Sequence, residues 1–502
     1  MEYVWCGLIV VLALVPNTAT RRKRSPHKPQ KPATVLPATS AVDARKLYEA
    51  GLTAFENEHR QLALDNWHRS VRTDPQSPLV HIFISLATSD PKEQKDERRR
   101  AQVLAYKTTK RERLLVKWLS AVEEEQYVPA IAAMNDLMAS YPADKHVAFL
   151  AGQWLRSQEQ YEQAAKLLLH ATQLDSNYAP AWNQLAYCYA YTGDFSNAFA
   201  AMERYTALLP KDPKPQDSYA EILRMAGNFR DALAHYRQAL QIDPAFQSSQ
   251  GGIADTYALM GEESTARTEY EKAIRQATTR LDQVRYAMQS ALTYVREKKN
   301  RRSIAELDSA ANQAHDAHLP LLEAEAFREM ALLERENQQS LRYLDKASTV
   351  LAAASDISAP EFHQETAEVL RTRAVRMAAS GNATGAAQAL KKLEQLMNTT
   401  GGTALRRTYS GAMGGVLVVR QEYAQAIPYL EEDSSNPLSM RDLIVAYTQV
   451  RSSDRAHVEE MKLAALNQPT VEQALVVLDL RTRLAAMKEK RGWLQRLTGR
   501  DR

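Results

Sequence analysis

The sequence predicts an all-α protein built as a solenoid of stacked helical hairpins, and two observations carry this prediction. Glycine is scarce, with 17 glycines against 20 prolines in 502 residues, whereas sheet-rich and doubly wound folds need glycine at turns and phosphate loops. Gly193, Gly227 and Gly261 lie 34 residues apart, a period typical of helix–turn–helix repeat arrays. We therefore expect one extended array rather than the about three globular domains that length alone suggests.

The N-terminus carries the only sustained apolar run of the sequence, the twelve residues 4–15. This run is too short to span a bilayer as a helix, which needs about 20 residues, and it fits a signal-peptide core ended by Pro16. Glu2 and the basic residues 21–24 oppose export. We expect residues 1–19 to be a signal peptide or a short anchor, with a wrongly assigned start codon as a third interpretation. The expected location is exported, periplasmic or membrane-associated, with cytoplasmic as the alternative.

The net charge of +4 is unevenly distributed along the chain. Residues 21–31 carry six basic residues and no acid, residues 481–502 carry another +6, and the rest of the chain sums to −8. A basic groove for nucleic acid is therefore not expected along the main body. Residues 20–41, with four prolines, have the composition of a disordered linker. The basic ends suit contact with lipid headgroups or an anionic polymer.

The 34-residue period extends beyond glycine. Residues 179–212 show an apolar stripe at spacings of three and four, small residues where two helices cross, and a proline that ends the second helix. These positions are Trp182, Leu185, Ala186, Tyr189, Ala198, Met202, Tyr205 and Pro210. On these residues the chain resembles the tetratricopeptide repeat (TPR) family, which implies an α-solenoid coiled as a right-handed superhelix.

The resemblance and the helical pattern together predict the domain organisation. Residues 42–280 are expected to form an N-terminal TPR array, in which Trp118 departs from the family by occupying a small-residue position. Divergent helical pairs are expected at 281–366 and TPR-like repeats at 367–480. A basic capping helix or tail is expected at 481–502, because the open end of a solenoid needs a polar cover.

The resemblance also implies a function, namely binding of a partner protein or extended peptide on the concave surface formed by the first helix of each repeat. The residues expected to face this surface are amides, tyrosines and charged residues suited to an extended polar ligand. They are Gln153, Arg156, Asn183, Tyr187, Tyr191, Asp217, Glu221, Arg224 and Asp255. The alternative is an exported or membrane-tethered envelope assembly factor that contacts lipid or an anionic polymer through its basic termini. The oligomeric state is left open.

Motifs for catalysis, cofactors and metals are missing from the sequence. No His-Glu-x-x-His motif, no glycine-rich loop before a Lys-Ser or Lys-Thr pair and no Gly-x-Ser-x-Gly motif occurs, so metalloprotease, nucleotide-binding and serine-hydrolase chemistry lack support. His315 and His318 share a helical face, but a solvated helix end beside Pro320 explains them more simply. We therefore expect a non-enzymatic scaffold with no cofactor and no metal site.

Overall fold

The computed structural model describes residues 42–355 and 357–498, and every regular element in these residues is an α-helix. The expected all-α solenoid is thereby confirmed. The expected signal peptide or anchor at 1–19 and linker at 20–41 lie outside the described residues. Among the residues that are described, none of the helices combines the length and the apolar character needed to cross a bilayer.

The chain divides into two compact units, residues up to 193 with 400–404, and residues 194–399 with those from 405 onward. The helices up to residue 193 form four complete hairpins and the first helix of a fifth. They are α1 (Val42–Glu56), α2 (Arg60–Thr73), α3 (Pro78–Ala87), α4 (Pro91–Ala105), α5 (Lys110–Glu123), α6 (Tyr127–Ser140), α7 (Lys145–Ser157), α8 (Tyr161–Leu174) and α9 (Ala179–Tyr191).

The helices after residue 193 continue the alternation of first and second hairpin helices and end with one long helix. They are α10 (Phe195–Leu208), α11 (Pro213–Met225), α12 (Phe229–Ile242), α13 (Gln247–Met260), α14 (Glu263–Gln276), α15 (Arg280–Arg296), α16 (Asn300–Asp316), α17 (Pro320–Leu333), α18 (Asn337–Ala353), α19 (Ala359–Ala379), α20 (Ala383–Thr400), α21 (Thr403–Val419), α22 (Tyr423–Glu432), α23 (Pro437–Gln449), α24 (Ser453–Ala465) and α25 (Val471–Thr498).

The turn inside each hairpin explains the glycine period. Gly193, Gly227 and Gly261 have φ of 80°, 83° and 83°, a left-handed conformation that glycine adopts without steric cost. Glu125 and Glu159 occupy the same position of earlier repeats and have φ of 54° and 56°. The 34-residue period therefore reflects a left-handed backbone conformation that recurs at this turn. Glycine adopts this conformation with the least strain.

Small residues let the two helices of a hairpin approach closely. A Cβ atom added at Gly152 of α7 would lie 2.7 Å from Cγ of Leu168 of α8, closer than non-bonded carbons come. Ala164, which lies at the same crossing, is fully buried. Trp118, the departure from the family pattern, is also fully buried, and its ring packs edge-to-face on that of Trp154 with centroids 6.1 Å apart. The bulky residue is accommodated by an aromatic contact between α5 and α7.

Several neighbouring first helices contact one another within each unit, as α3 does with α5 and α17 with α19. These odd-numbered helices line what we call the inner face of each unit. Of the domain boundaries expected from the sequence, the one at 280/281 lies at the start of α15, while those at 366/367 and 480/481 lie within α19 and α25. Since α25 is continuous over 28 residues, its basic second half is part of the same helix as its buried first half.

Candidate functional site

All nine residues expected on the binding surface lie on first helices of hairpins. Gln153 and Arg156 are on α7, followed by three residues on α9, three on α11 and Asp255 on α13. The α7 and α9 residues belong to the first unit, and the α11 and α13 residues to the second. The structure therefore places these residues on two inner faces, which differ in how much of them is open.

Part of the inner face of the first unit is accessible around α7 and α9. The guanidinium carbon of Arg156 lies 5.9 Å from the ring centroid of Tyr187, whose ring lies 6.4 Å from that of Tyr191. Tyr191 stacks on Tyr161 with centroids 4.7 Å apart and is 40% exposed, whereas Tyr187 is buried. Arg156 and Gln153 are half-buried. This row therefore leaves an aromatic edge and polar groups partly exposed.

The sequence predicted that Asn183 lies on the binding surface, but the structure shows it buried. Its side chain is only 3% exposed, because the turn after α1 reaches the same place. The Nδ2 group of Asn183 and the Nε2 group of Gln184 both donate hydrogen bonds to Oε1 of Glu58, over 3.4 Å and 2.9 Å. Asn183 therefore holds the first hairpin against the fifth.

A second contact between distant hairpins of the first unit was not predicted from the sequence. Nδ1 of His146 on α7 lies 2.6 Å from Oε1 of Glu56, the last residue of α1, and the Tyr178 hydroxyl lies 3.2 Å from the same nitrogen. Burial, and then the Glu56 carboxylate, raise the pKa of Tyr178 well above its ordinary value, so the hydroxyl stays protonated. These residues are far apart in sequence, and the repeat pattern carries no signal that joins them.

In the second unit, Asp217 and Asp255 are tied into the protein. The Ser249 and Ser248 hydroxyls donate to the Asp217 carboxylate over 2.8 Å and 2.9 Å, and the Tyr270 hydroxyl donates to Asp255. Burial raises the pKa of both carboxyl groups. Asp217 therefore accepts hydrogen bonds from the next hairpin, and Asp255 accepts one from the second helix of its own hairpin.

Arg224, at the end of α11, is buried and contacts several groups. Its guanidinium lies 3.4 Å from the Tyr236 hydroxyl, from a carboxylate oxygen of Glu221 and from the backbone carbonyl of Asn467. Burial alone would lower its pKa, but Tyr236, Asp255 and Glu221 outweigh that effect and raise it. Glu221 remains partly exposed. Arg224, which was expected on the binding surface, is buried because the chain segment between α24 and α25 covers it.

The first half of α25 packs on the inner face of the second unit. Val471 and Ala474 belong to the apolar cluster formed by α15 to α18, while Val477 and Leu480 pack on α23 and α24. The Glu472 carboxylate lies 3.5 Å from Nη1 of Arg328 on α17. A helix of the chain itself thus packs on the first helices α15 and α17, which follow those that carry the nine predicted residues.

Buried charges form a second cluster on α17 and α19. Nε of Arg328 donates to Glu365 over 2.7 Å, and Nη2 of Arg371 lies 2.8 Å from Asp433. Burial raises the pKa of Glu365 to about 7, although Arg328 opposes the shift. Each carboxylate is engaged by an arginine, so these groups hold helices together. Within the described parts of the chain, no group of three or more His, Cys, Asp or Glu residues has the arrangement of a metal site.

Stacked hairpins with buried small-residue crossings define an α-solenoid. Two sequence models described as tetratricopeptide repeat match residues 179–212 and 223–292. Together with the 34-residue turn geometry, these matches show that the chain is a tetratricopeptide repeat protein. Such repeats support protein–protein interaction, and the chain is in this sense a scaffold.

Several solved structures are similar to the chain at low sequence identity. Yeast Tom70 is 14% identical, with 83% of this chain and 96% of that chain covered and a TM-score of 0.42. YrrB, described as having an unusual peptide-binding site, is 16% identical, with 37% and 95% covered and a TM-score of 0.27. A thermophilic TPR protein of Thermus thermophilus is 18% identical, with 42% and 98% covered and a TM-score of 0.29. No curated protein matches the sequence.

Proposed function

We propose that the protein is a non-catalytic scaffold that binds a segment of a partner protein on the inner face of its first unit. The observation that carries this proposal is the row on α7 and α9 in which half-buried Arg156 and exposed Tyr191 lie on either side of buried Tyr187. Tyrosine and arginine are the residues that most often dominate protein interfaces, since they bury large areas and still form hydrogen bonds.

The packing of α25 in the second unit gives separate support for the proposal. Its inner face holds α25 by apolar contacts of Val471 and Ala474 and by the pairing of Glu472 with Arg328. An inner face of this architecture therefore accommodates a helix in the present chain. The corresponding surface of the first unit is suited to a partner segment, whose polar groups would meet Gln153 and Arg156 and whose apolar groups would meet the exposed edge of Tyr191.

Site-specific photocrosslinking tests this proposal. A photoreactive phenylalanine analogue replaces Tyr191 on the inner face or, as a control, Leu169 on α8, which is similarly exposed at 37% against 40%. We expect a defined partner segment to crosslink at position 191 and not at 169, and Arg156→Ala to reduce capture at 191 at least tenfold without changing the helical circular dichroism. Equal capture at both positions would place the contact surface elsewhere.

A second candidate is an exported or membrane-tethered envelope assembly factor that uses its basic ends. The observation that favours it is the exposure of Ala485, Ala486 and Met487 on α25, after which the helix continues to Thr498. The sequence of this stretch is rich in basic residues, and a basic helix is attracted to anionic surfaces. Flotation with phosphatidylglycerol vesicles, but not phosphatidylcholine vesicles, is expected for this candidate. Binding to neither kind removes the lipid version of it.

A further inference from the structure

A cavity of about 500 Å³ lies between α17 and α18, the two helices of one hairpin in the second unit. Its lining includes Glu323 and Phe327 of α17 and a row of side chains on α18, among them Arg342 and Lys346. Cavities of about 300–1,000 Å³ are typical of small-molecule sites, in which apolar groups bury the ligand and a few polar groups orient it. This cavity contains both kinds of group.

The apolar part of the cavity is formed by Phe327 and Val350. Phe327 is 8% exposed and belongs to the apolar cluster of α15 to α18. Val350 packs against the same cluster and is half-buried. A ligand with an apolar group on these two side chains would remove further apolar surface from water, which favours binding.

Two basic side chains of α18 lie beside this apolar part. Arg342 and Lys346 are four residues apart and therefore lie on the same face of the helix. Nζ of Lys346 lies 4.9 Å from the ring centroid of Phe327, and Nη1 of Arg342 donates to Oε1 of Gln339 over 3.2 Å. In the part of the chain that the structure describes, neither basic group forms an ion pair.

The two carboxylates that line the cavity have partners outside it. Oδ1 of Asp345 accepts a hydrogen bond from Nη1 of Arg373 on α19 over 2.7 Å. Oε2 of Glu323 lies 3.2 Å from Nδ1 of His315 on α16. The basic groups of α18 are therefore the charged groups of the cavity that are left for a ligand, and they favour an anion.

We propose that this cavity binds a small carboxylic acid that carries an apolar or aromatic group. Arg342 and Lys346 contact the carboxylate, and Phe327 and Val350 contact the apolar group. A guanidinium group can donate two parallel hydrogen bonds to a carboxylate, and the ammonium group adds a point charge. This is a small-molecule site on the second unit, separate from the partner surface proposed for the first.

Isothermal titration calorimetry of the full chain tests the site at constant ionic strength. The probes are 3-phenylpropionate, hexanoate and the uncharged amides of these two acids. We expect saturable binding of at least one carboxylate, and binding of its amide weaker by about tenfold or more, because the amide keeps the apolar group and loses the charge. Amide hydrogen exchange in α17 and α18 should slow with the bound carboxylate, which places the binding at this hairpin.

Three variants separate the cavity from general ion effects. Arg342→Gln combined with Lys346→Gln should weaken carboxylate binding by about tenfold or more. The control Arg335→Gln removes an exposed arginine of the same hairpin that does not line the cavity, and it should leave the affinity unchanged. Thr349→Trp fills the cavity from α18 and should abolish binding. All four replaced side chains are exposed, so the helical circular dichroism should be retained.

Three results would overturn the proposal. The first is a wild type that binds neither carboxylate saturably, and the second is an amide that binds as tightly as its acid. The third is a double variant or a Thr349→Trp variant that binds as the wild type does. None of them bears on crosslinking at position 191, which lies in the other unit, so failure of this site and failure of the proposed function are distinguishable.

Discussion

Glu123, the last residue of α5, makes the stability of the first unit depend on pH. Its side chain is 2% exposed, accepts a hydrogen bond from the Ser85 hydroxyl over 2.6 Å and lies 3.3 Å from Nη1 of Arg98. Burial raises its pKa from 4.5 to about 7, because desolvation of the carboxylate outweighs Ser85 and Arg98. The folded protein therefore binds a proton at Glu123 more tightly than the unfolded chain does.

The sign and the size of the effect follow from this shift. A carboxyl group with a raised pKa in the folded state contributes stability that is fully present below pH 4.5 and is lost as the pH rises through 7. For one independent group, the loss in the free energy of unfolding between pH 5 and pH 8 is about 2.5 kcal/mol. Glu123→Gln cannot ionise, so this part of the pH dependence should disappear.

Urea denaturation at pH 5 and pH 8 measures the effect for the wild type, Glu123→Gln and the control Glu124→Gln. Glu124 is the adjacent residue, 31% exposed and also paired with Arg98, so its substitution changes the net charge equally. Between pH 5 and pH 8, the free energy of unfolding of Glu123→Gln should rise by about 2.5 kcal/mol relative to that of the wild type. The control should shift by under about 0.5 kcal/mol. An equal shift for both variants would refute the assignment to a buried carboxyl group.

The remaining predictions concern the turns and the buried charges. Gly261→Ala should lower the free energy of unfolding by about 1 kcal/mol, because φ is 83° there. Arg451→Gly should raise the free energy of unfolding by about 1 kcal/mol, because the arginine adopts φ of 61°. Chemical denaturation measures the effect of each of these two substitutions. Effects of the same sign would contradict the argument that a left-handed turn favours glycine. Arg328→Met leaves Glu365 buried without its 2.7 Å partner and should cost about 3–5 kcal/mol at pH 8. The cost should be smaller at pH 5, where Glu365, with a pKa of about 7, is protonated; a cost that is independent of pH would show that the carboxylate charge is not the cause.

Contacts within one repeat were largely predictable from the sequence. The left-handed turns at Gly193, Gly227 and Gly261 and the tight crossing at Ala164 follow from the 34-residue spacing. These features depend on neighbours within one or two hairpins, so local sequence carries the information. The position of Trp118 was visible as a departure, but its edge-to-face packing on Trp154 was not, since ring geometry depends on the neighbouring hairpin.

The candidate site was predictable only in part. The helices that carry the nine expected residues were identified, but Asn183, Tyr187, Asp217 and Arg224 proved to be buried. Gln184, beside Asn183, is bonded to Glu58, 126 residues away, and Arg224 contacts Asn467, 243 residues away. No period of 34 residues relates such positions, because they meet only when distant hairpins of a unit come together.

The sequence by itself thus determined an all-α protein of stacked tetratricopeptide hairpins, because helix periodicity, turn conformation and small-residue crossings are local requirements. Only the tertiary structure decided which inner surfaces are open. It left the Tyr191 row accessible and covered Arg224 with the segment before α25. The physical reason is that exposure is a property of the whole unit, since a side chain that faces inward in every repeat is buried or free according to what else packs there.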